Sequence, residues 1–253
     1  MNEALLAELE TRASELSARV IEDMYRDPFW LARFGERGRK FAHEDGRHHL
    51  SYLAQALVAN DPTVLVEYVR WLRPVLTSRG MCSLHLDENL ERLARAIEAE
   101  VTNAEPALAF LEQAREGLRY ASGTEGELEA VKARLVAAAA AEVAGAGSAR
   151  ASTAHAIAHI FSYLRDAAAL GRTELLVEYV AFADELAQVH GRTPGDVGRA
   201  LVALDRGIES DPDLSPPARS FARDALARAR SRLVVVPVPG AASRASAASG
   251  GRP

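Results

Sequence analysis

A length of 253 residues and a hydrophobic share of 48% describe a globular protein that can bury the core of one domain or of two packed halves. A net charge of −5 with scattered arginines argues against nucleic-acid binding, and a single cysteine excludes an internal disulfide. No apolar run reaches the roughly 18 residues of a membrane span and the N-terminus is acidic, unlike a signal peptide, so we expect a cytoplasmic protein without a membrane segment.

The first predicted elements in chain order are a long helix and a shorter segment rich in aromatic residues. Residues 4–25 repeat apolar side chains at helical spacing with charged residues opposite, which predicts an amphipathic helix. Asp27-Pro28 ends this helix, because proline disfavours helical backbone in the residue before it. Residues 27–41 then gather aromatic side chains around Gly35 and Gly38, which indicates a short helix and a turn that cap the first bundle.

Three further helices follow and form a unit. The first is predicted at 44–58, and Asn60-Asp61-Pro62 is a typical start signal for the second. The second helix, 62–79, contains Pro74, which predicts a kink or an early end. Gly80 suits the left-handed position that follows a helix, and a third helix is predicted at 84–100.

This unit occurs twice, 111 residues apart (His48 to His159) and without a gap. HHLSYLAQAL at 48–57 returns as HIFSYLRDAA at 159–168, and VLVEYVRW at 64–71 returns as LLVEYVAF at 175–182. The positions kept in both copies are His48/His159, Ser51/Ser162, Tyr52/Tyr163, Leu53/Leu164, Glu67/Glu178, Tyr68/Tyr179 and Gly80/Gly191. An internal repeat determines the architecture, so whatever the unit does is expected to depend on these positions.

The remaining segments complete the predicted architecture. A connecting helix at 106–120, an alanine-rich helix at 126–145 and a last helix at 217–232 are separated by breaks at 122–124 and 145–148. Residues 233–240 are predicted to be extended, and 241–253 have too little apolar surface to fold. We therefore predict an all-α fold of two tandem helical-bundle repeats related by a pseudo-twofold. The first repeat with its connecting helix is 1–121, the second repeat is 122–235, and a flexible tail is 236–253.

Repeated histidine and glutamate residues are the candidate metal ligands. His155 and His159 lie at i, i+4 and can face one ion from a single helix, and Glu44 and His48 hold the same two positions in the first copy. Carboxylates and imidazoles on facing helices build metal sites in bundles, and the next helix of each copy adds a glutamate. The candidate metal set is Glu44, His48, Glu67, His155, His159 and Glu178. In the alternative interpretation, His48 and His159 simply hydrogen-bond Glu67 and Glu178 or a backbone carbonyl and join the first helix to the second.

Aromatic residues at equivalent positions are candidates for ligand binding. Tyrosines at this spacing can stack on an aromatic ligand, or they can be core rings with a hydroxyl at the rim. The candidate ligand-binding set is His48, Tyr52, Glu67, Trp71, His159, Tyr163, Glu178 and Phe182.

Cys82 lies just before a predicted helix, where a thiol is either reactive or takes the place of a helix cap. The second copy has Thr193 at that position, an ordinary cap. His43, His48, His49 and His85 cluster loosely in the same region, and an axial ligand for heme or cobalamin among them is a further hypothesis.

Part of the chain resembles a known family. The residues that carry the resemblance are His49-Leu50-Ser51-Tyr52-Leu53, Asp61-Pro62, Tyr68-Val69-Arg70-Trp71 and Ser78-Arg79-Gly80. They resemble the all-helical module found upstream of cobalamin-binding domains in some bacterial sensory and regulatory proteins, over residues 20–100 and again over 155–210. The chain has no Asp-x-His-x-x-Gly motif and no Rossmann-like half. The resemblance therefore implies a sensing or interaction module rather than a cobalamin enzyme.

Two functions follow from these patterns. Because phosphate-binding loops, nucleophile elbows, H-E-x-x-H and paired cysteines are absent, we expect a non-catalytic regulatory or sensory module that binds a protein partner or small ligand through its duplicated bundle. The alternative is a bundle that binds a metal or a tetrapyrrole, as a sensor or an oxidoreductase, with histidine and glutamate ligands. We expect no nucleic-acid or membrane partner, and a homodimer fits the apolar helix faces. The sequence identifies no cofactor.

Overall fold

The computed structural model describes residues 3–144, 149–189 and 196–233, and these residues fold into ten α-helices and no strand. The helices are α1 Glu3–Met24, α2 Pro28–Ala59, α3 Thr63–Ser78, α4 Ser83–Glu100, α5 Glu105–Gly117, α6 Gly123–Ala144, α7 Ala149–Leu170, α8 Glu174–Val189, α9 Asp196–Ser210 and α10 Pro216–Ser231. The predicted all-α class is confirmed. None of the helices in these ranges has an apolar stretch long enough to cross a bilayer.

Helix α2 differs most from its prediction, because the expected short helix, turn and second helix are one helix with a kink. The Asp27 side chain accepts a hydrogen bond from the Phe29 N–H at 2.9 Å and caps the start, where Pro28 has no N–H to satisfy. Only Gly35 leaves the helical conformation, with φ 62 and ψ −170. Gly38 stays helical, so of the two glycines in the expected helix and turn, Gly35 alone interrupts the helix.

Helix α3 continues through Pro74 to Ser78, so the predicted early end was wrong. Gly80 follows it with φ +84, the left-handed conformation expected from the sequence. The Met81 N–H donates to the Leu76 carbonyl at 3.2 Å and closes the last turn. This turn leads directly into α4.

Two large hydrophobic cores occupy the two halves of the described chain, and a small third cluster of Ile21, Met24 and Trp30 lies in the first half. Helices α1–α5 enclose a leucine-rich core that includes Leu16, Leu53 and Leu90, and helices α6–α10 enclose one built around Phe161 and Tyr163. Helix α1 packs on α2 and α4 while α3 packs on α5, and in the same order α6 packs on α7 and α9 while α8 packs on α10. Duplication of one unit predicts this matching order, while the pseudo-twofold remains a prediction.

The two halves meet where the N-terminus of α4 packs against α7, a contact that we call the junction. Cys82, immediately before α4, belongs to the core of the second half although it lies in the first half of the sequence. The predicted break at 145–148, the kept Gly191, Thr193, the extended segment beyond Leu233 and the tail 236–253 lie outside the described residues.

Candidate functional site

The kept tyrosines form two stacked pairs with nearly the same geometry. Tyr52 of α2 stacks on Tyr68 of α3 with ring centroids 4.0 Å apart and planes 14° apart. Tyr163 of α7 stacks on Tyr179 of α8 at 3.9 Å and 13°. The Tyr163 hydroxyl donates to the Gly80 carbonyl at 2.8 Å across the junction. These rings pack against each other and join the first two helices of each unit.

The structure brings together only part of the predicted metal set. His48 and Glu178 are exposed, Glu44 is half-buried, and in the described chain none of these three lies in a group of candidate metal ligands. Exposed Glu67 is outside such groups too, and it forms an ion pair with Arg70 at 2.9 Å. His155 and His159, by contrast, do lie together.

The expected hydrogen bonds from His48 and His159 to glutamates of the next helix are corrected by the structure. In α2 the inward-facing histidine is His49, one residue further on, and its Nδ1 is hydrogen-bonded to the Tyr68 hydroxyl at 2.8 Å. The reason is that the buried stripe of α2 runs through Gly46, His49, Leu50 and Leu53, leaving position 48 in solvent. His159 is buried, because α7 lies between the second bundle and α4, and its partner is Glu88.

Trp71 and Phe182 also have different environments. Trp71 is 62% exposed on α3. Phe182 is partly buried against Phe29, with ring centroids 5.8 Å apart, and the Arg33 guanidinium lies 5.0 Å above its ring. Phe182 therefore helps hold α2 against α8, whereas Trp71 is left on the surface.

At the junction, polar side chains of α7 cap the N-terminus of α4. The first N–H groups of a helix have no partner within the helix and need acceptors from elsewhere. The Asp166 carboxylate accepts from the Ser83 N–H at 2.5 Å and from the Ser83 hydroxyl at 2.8 Å, and the Ser162 hydroxyl accepts from the Leu84 N–H at 3.2 Å. Arg165 lies beside Asp166 and pairs with Glu129. The second half therefore completes a helix of the first.

Next to this cap is a group of metal-binding residue types, the thiol–imidazole cluster of Cys82, His85 and His159. Cys82 is the N-cap residue of α4 and is 1% exposed. Its Sγ lies 3.6 Å from His85 Nδ1 and 3.9 Å from His159 Nδ1. The other nitrogen of His159, Nε2, lies 3.1 Å from Glu88 Oε1, and His155 Nδ1 lies 3.6 Å from the same oxygen.

The protonation states in this region differ between neighbouring histidines. Burial, together with the nearby His159 and Arg92, lowers the pKa of His85 well below its ordinary value, so His85 is neutral. Burial also opposes the protonation of His159, but its interactions with Cys82 and Glu88 outweigh burial and raise its pKa to about 9. For Glu88, burial raises the pKa, but His159 and His155 reverse the effect and lower it. Without a bound ion the site therefore holds a neutral imidazole beside an imidazolium–carboxylate pair.

A second feature, the aromatic cavity, lies on the other side of His85, between α1, α2 and α4. It has a volume of about 140 Å³. Its lining includes Met24, Trp30, Phe34, Phe41, Met81, His85, Leu86 and Asn89. The Trp30 ring meets Phe34 at 5.7 Å and His85 at 4.9 Å between centroids. His85 is thus a wall of the cavity and a member of the thiol–imidazole cluster at once.

One polar atom in the cavity lining has no partner. Asn89 Nδ2 donates weakly to the Met24 sulfur at 3.7 Å, while Asn89 Oδ1 is buried and unpaired among the residues that the structure describes. A buried acceptor without a donor is unfavourable, by about 1–3 kcal/mol. The lining is mainly apolar and also includes Asp45 and Arg79, and an unpaired acceptor in it is suited to a ligand that brings one N–H or O–H group.

The sequence does mark some of the residues at the junction as buried and polar. Arg165 and Asp166 are charged residues inside an apolar helical stretch, where the first copy has Ala54 and Gln55. A charge pair in such a stretch indicates a buried polar contact. In the sequence, His85 groups only with the histidines of its own half. No sequence pattern singles out Asn89.

No protein-family model, curated protein or solved structure matches this chain.

Proposed function

We propose that this chain is a duplicated helical module with a regulatory or sensory role, which binds a small aromatic ligand in the aromatic cavity of its first half. The observation that carries the proposal is a mainly apolar, ring-lined cavity in which Asn89 Oδ1 is buried and, among the described residues, without a hydrogen-bond partner. Small-molecule sites are typically apolar with a few polar groups that determine orientation.

The size of the cavity limits the ligand to one ring. A dry engineered cavity of about 150 Å³ binds benzene, and the cavity here is about 140 Å³. A single aromatic ring that carries one hydroxyl or amino group, such as phenol, matches both the volume and the acceptor. A tetrapyrrole is far too large, so the size argues against that part of the alternative function.

The position of the cavity supports a sensory role. A ligand in the cavity, against Trp30 and His85, would contact His85 on one side, and the other side of His85 meets His159 of α7 with ring centroids 4.6 Å apart. A ligand shifts an equilibrium only by interacting differently with two states, and here it would act on the packing of α4 against α7. We also propose that the change in α4–α7 packing is passed on to a protein partner or within a homodimer, and that this takes place in the cytoplasm.

The duplication is also part of the proposal. It is supported by the spacing of 111 residues (Tyr52 to Tyr163), by the two tyrosine stacks and by the same order of packing in the two halves. Of the two copies, only the first has an aromatic segment at 27–41 beside it. We infer that the first copy binds the ligand and the second supports α4.

The test is calorimetric titration of the protein with phenol and, for comparison, toluene. We expect phenol to bind more tightly, because toluene leaves Asn89 Oδ1 unpaired. Ala42→Leu, which fills part of the cavity lining, should abolish binding, while Ala59→Leu at an exposed position of the same helix should leave it unchanged. Equal affinity of the two Leu variants for phenol, or no binding to the unmodified protein, would refute the proposal.

A further inference from the structure

We propose that Cys82, His85 and His159 form a binding site for one zinc-like transition-metal ion, oriented by Glu88 and located at the junction. This site shares His85 with the aromatic cavity, but its ligand atoms belong to the cluster with Cys82 and His159, and the proposal does not depend on ligand binding in the cavity. Its three side chains are buried, and their candidate ligand atoms lie within 4.8 Å of one another.

The distances match the edges of a metal tetrahedron. With a Zn–S bond of about 2.3 Å and Zn–N bonds of about 2.0–2.1 Å, the sulfur and a nitrogen of one tetrahedral site lie about 3.6 Å apart. The observed separations from Cys82 Sγ are 3.6 Å to His85 Nδ1 and 3.9 Å to His159 Nδ1. A metal on His85 Nδ1 would replace the 3.2 Å hydrogen bond from the Cys82 N–H.

Glu88 is placed to hydrogen-bond a metal ligand, His159, rather than to bind the metal itself. It meets His159 at Nε2, 3.1 Å away, so Nδ1 is the nitrogen left facing the sulfur. Metal-bound histidines are commonly held in this way by a carboxylate on the other ring nitrogen. Three protein ligands remain, which leaves the fourth position of a tetrahedral ion for water or another small ligand.

The donor set selects the class of metal. A thiolate and two imidazoles suit Zn²⁺ and its chemical relatives such as Co²⁺, whereas Ca²⁺ and Mg²⁺ require oxygen ligands. An ion with two positive charges would face the thiolate and the Glu88 carboxylate, which also pairs with Arg92 at 3.6 Å. Since Cys82 and His85 begin α4 and His159 lies on α7, the ion would connect the two halves.

A second candidate metal site also contains His159, and substitutions can distinguish it from the proposed one. His155, His159 and Glu88 also bring their ligand atoms within 4.8 Å of one another, but this group has no sulfur and His155 has a side chain that is 58% exposed. Removal of His155 should therefore not affect the buried site, whereas it should abolish the competing one.

The experiment is a titration of the metal-free full chain with Co²⁺, followed by displacement with Zn²⁺. We expect one ion per chain, tetrahedral d–d bands and a sulfur-to-cobalt charge-transfer band, which reports thiolate ligation in the unmodified protein. Cys82→Ser should remove that band, and His155→Ala should leave both spectrum and affinity unchanged. Glu88→Gln should weaken binding by about 10–100-fold, and His85→Gln by more.

Three outcomes would overturn the proposal. The first is the absence of stoichiometric Co²⁺ binding, and the second is a spectrum without the charge-transfer band. The third is loss of binding in His155→Ala with binding retained in Cys82→Ser. The spectrum of the unmodified protein gives an answer even if a variant fails to fold.

Discussion

Asp166 is the side chain on which the contact between the two halves depends most. It is fully buried, and its carboxylate accepts hydrogen bonds from the Ser83 N–H, the Ser83 hydroxyl and the Tyr120 hydroxyl. Asp166→Ala leaves these donors without an acceptor, and each unsatisfied buried group is unfavourable by about 1–3 kcal/mol. It also removes a carboxylate 3.8 Å from the buried Arg165 guanidinium, but Arg165 keeps its ion pair with Glu129 and its charge stays compensated.

The contributions of these donors overlap and do not add. We therefore expect Asp166→Ala to lower the free energy of unfolding by about 2–4 kcal/mol, mainly from the unsatisfied donors, measured by urea denaturation followed by circular dichroism. Asp184→Ala is the matched control, because Asp184 is also buried and, among the described residues, accepts its hydrogen bond from its own helix, from Gln188 at 2.8 Å. That control should lose about 1 kcal/mol.

A double-mutant cycle then isolates the contact across the junction. Ser83→Ala alone removes one donor to Asp166, and combined with Asp166→Ala it should lose less stability than the sum of the two single changes. Additive effects, or a loss in Asp166→Ala no larger than in Asp184→Ala, would show that the cap from α7 does not stabilise α4.

Three further substitutions test other parts of the structure. Burial of His49 lowers its pKa from 6.5 to about 4, so the folded protein binds fewer protons than the unfolded chain between these values. Stability should therefore fall by up to about 3 kcal/mol as the pH drops from 6.5 to 4, and urea denaturation of His49→Gln across this range should show a flatter profile. Gly80→Ala forces an L side chain to φ +84 and should lower stability by about 1–2 kcal/mol in thermal melts; an unchanged melting temperature would contradict this. Trp71→Ala removes a side chain that is 62% exposed and should change stability by less than about 0.5 kcal/mol, so a larger loss in urea denaturation would mean that Trp71 is covered.

Much of the fold could be predicted, because helical periodicity and proline and glycine signals are local. The predicted helix 4–25 corresponds to α1 at Glu3–Met24, and 84–100 corresponds to α4 at Ser83–Glu100. The errors came from local signals that packing overrode. Gly38 remains helical in α2, and Pro74 is accommodated within α3.

The candidate site was much harder to predict, because its residues meet only after folding. Cys82 and His159 are 77 positions apart, and nothing local to either one indicates the other. The repeat also led to a wrong prediction for the first copy. It aligns His48 with His159, but the buried residue is His49. Aligned positions of two similar sequence segments need not have the same burial, because burial depends on what packs against each helix.

The most direct test of the central claim is a crystal structure of the protein with phenol. We predict one phenol molecule in the aromatic cavity, its ring against Trp30 and His85 and its hydroxyl donating to Asn89 Oδ1. Phenol bound elsewhere, or a cavity that excludes phenol when the ligand is in excess, would contradict it.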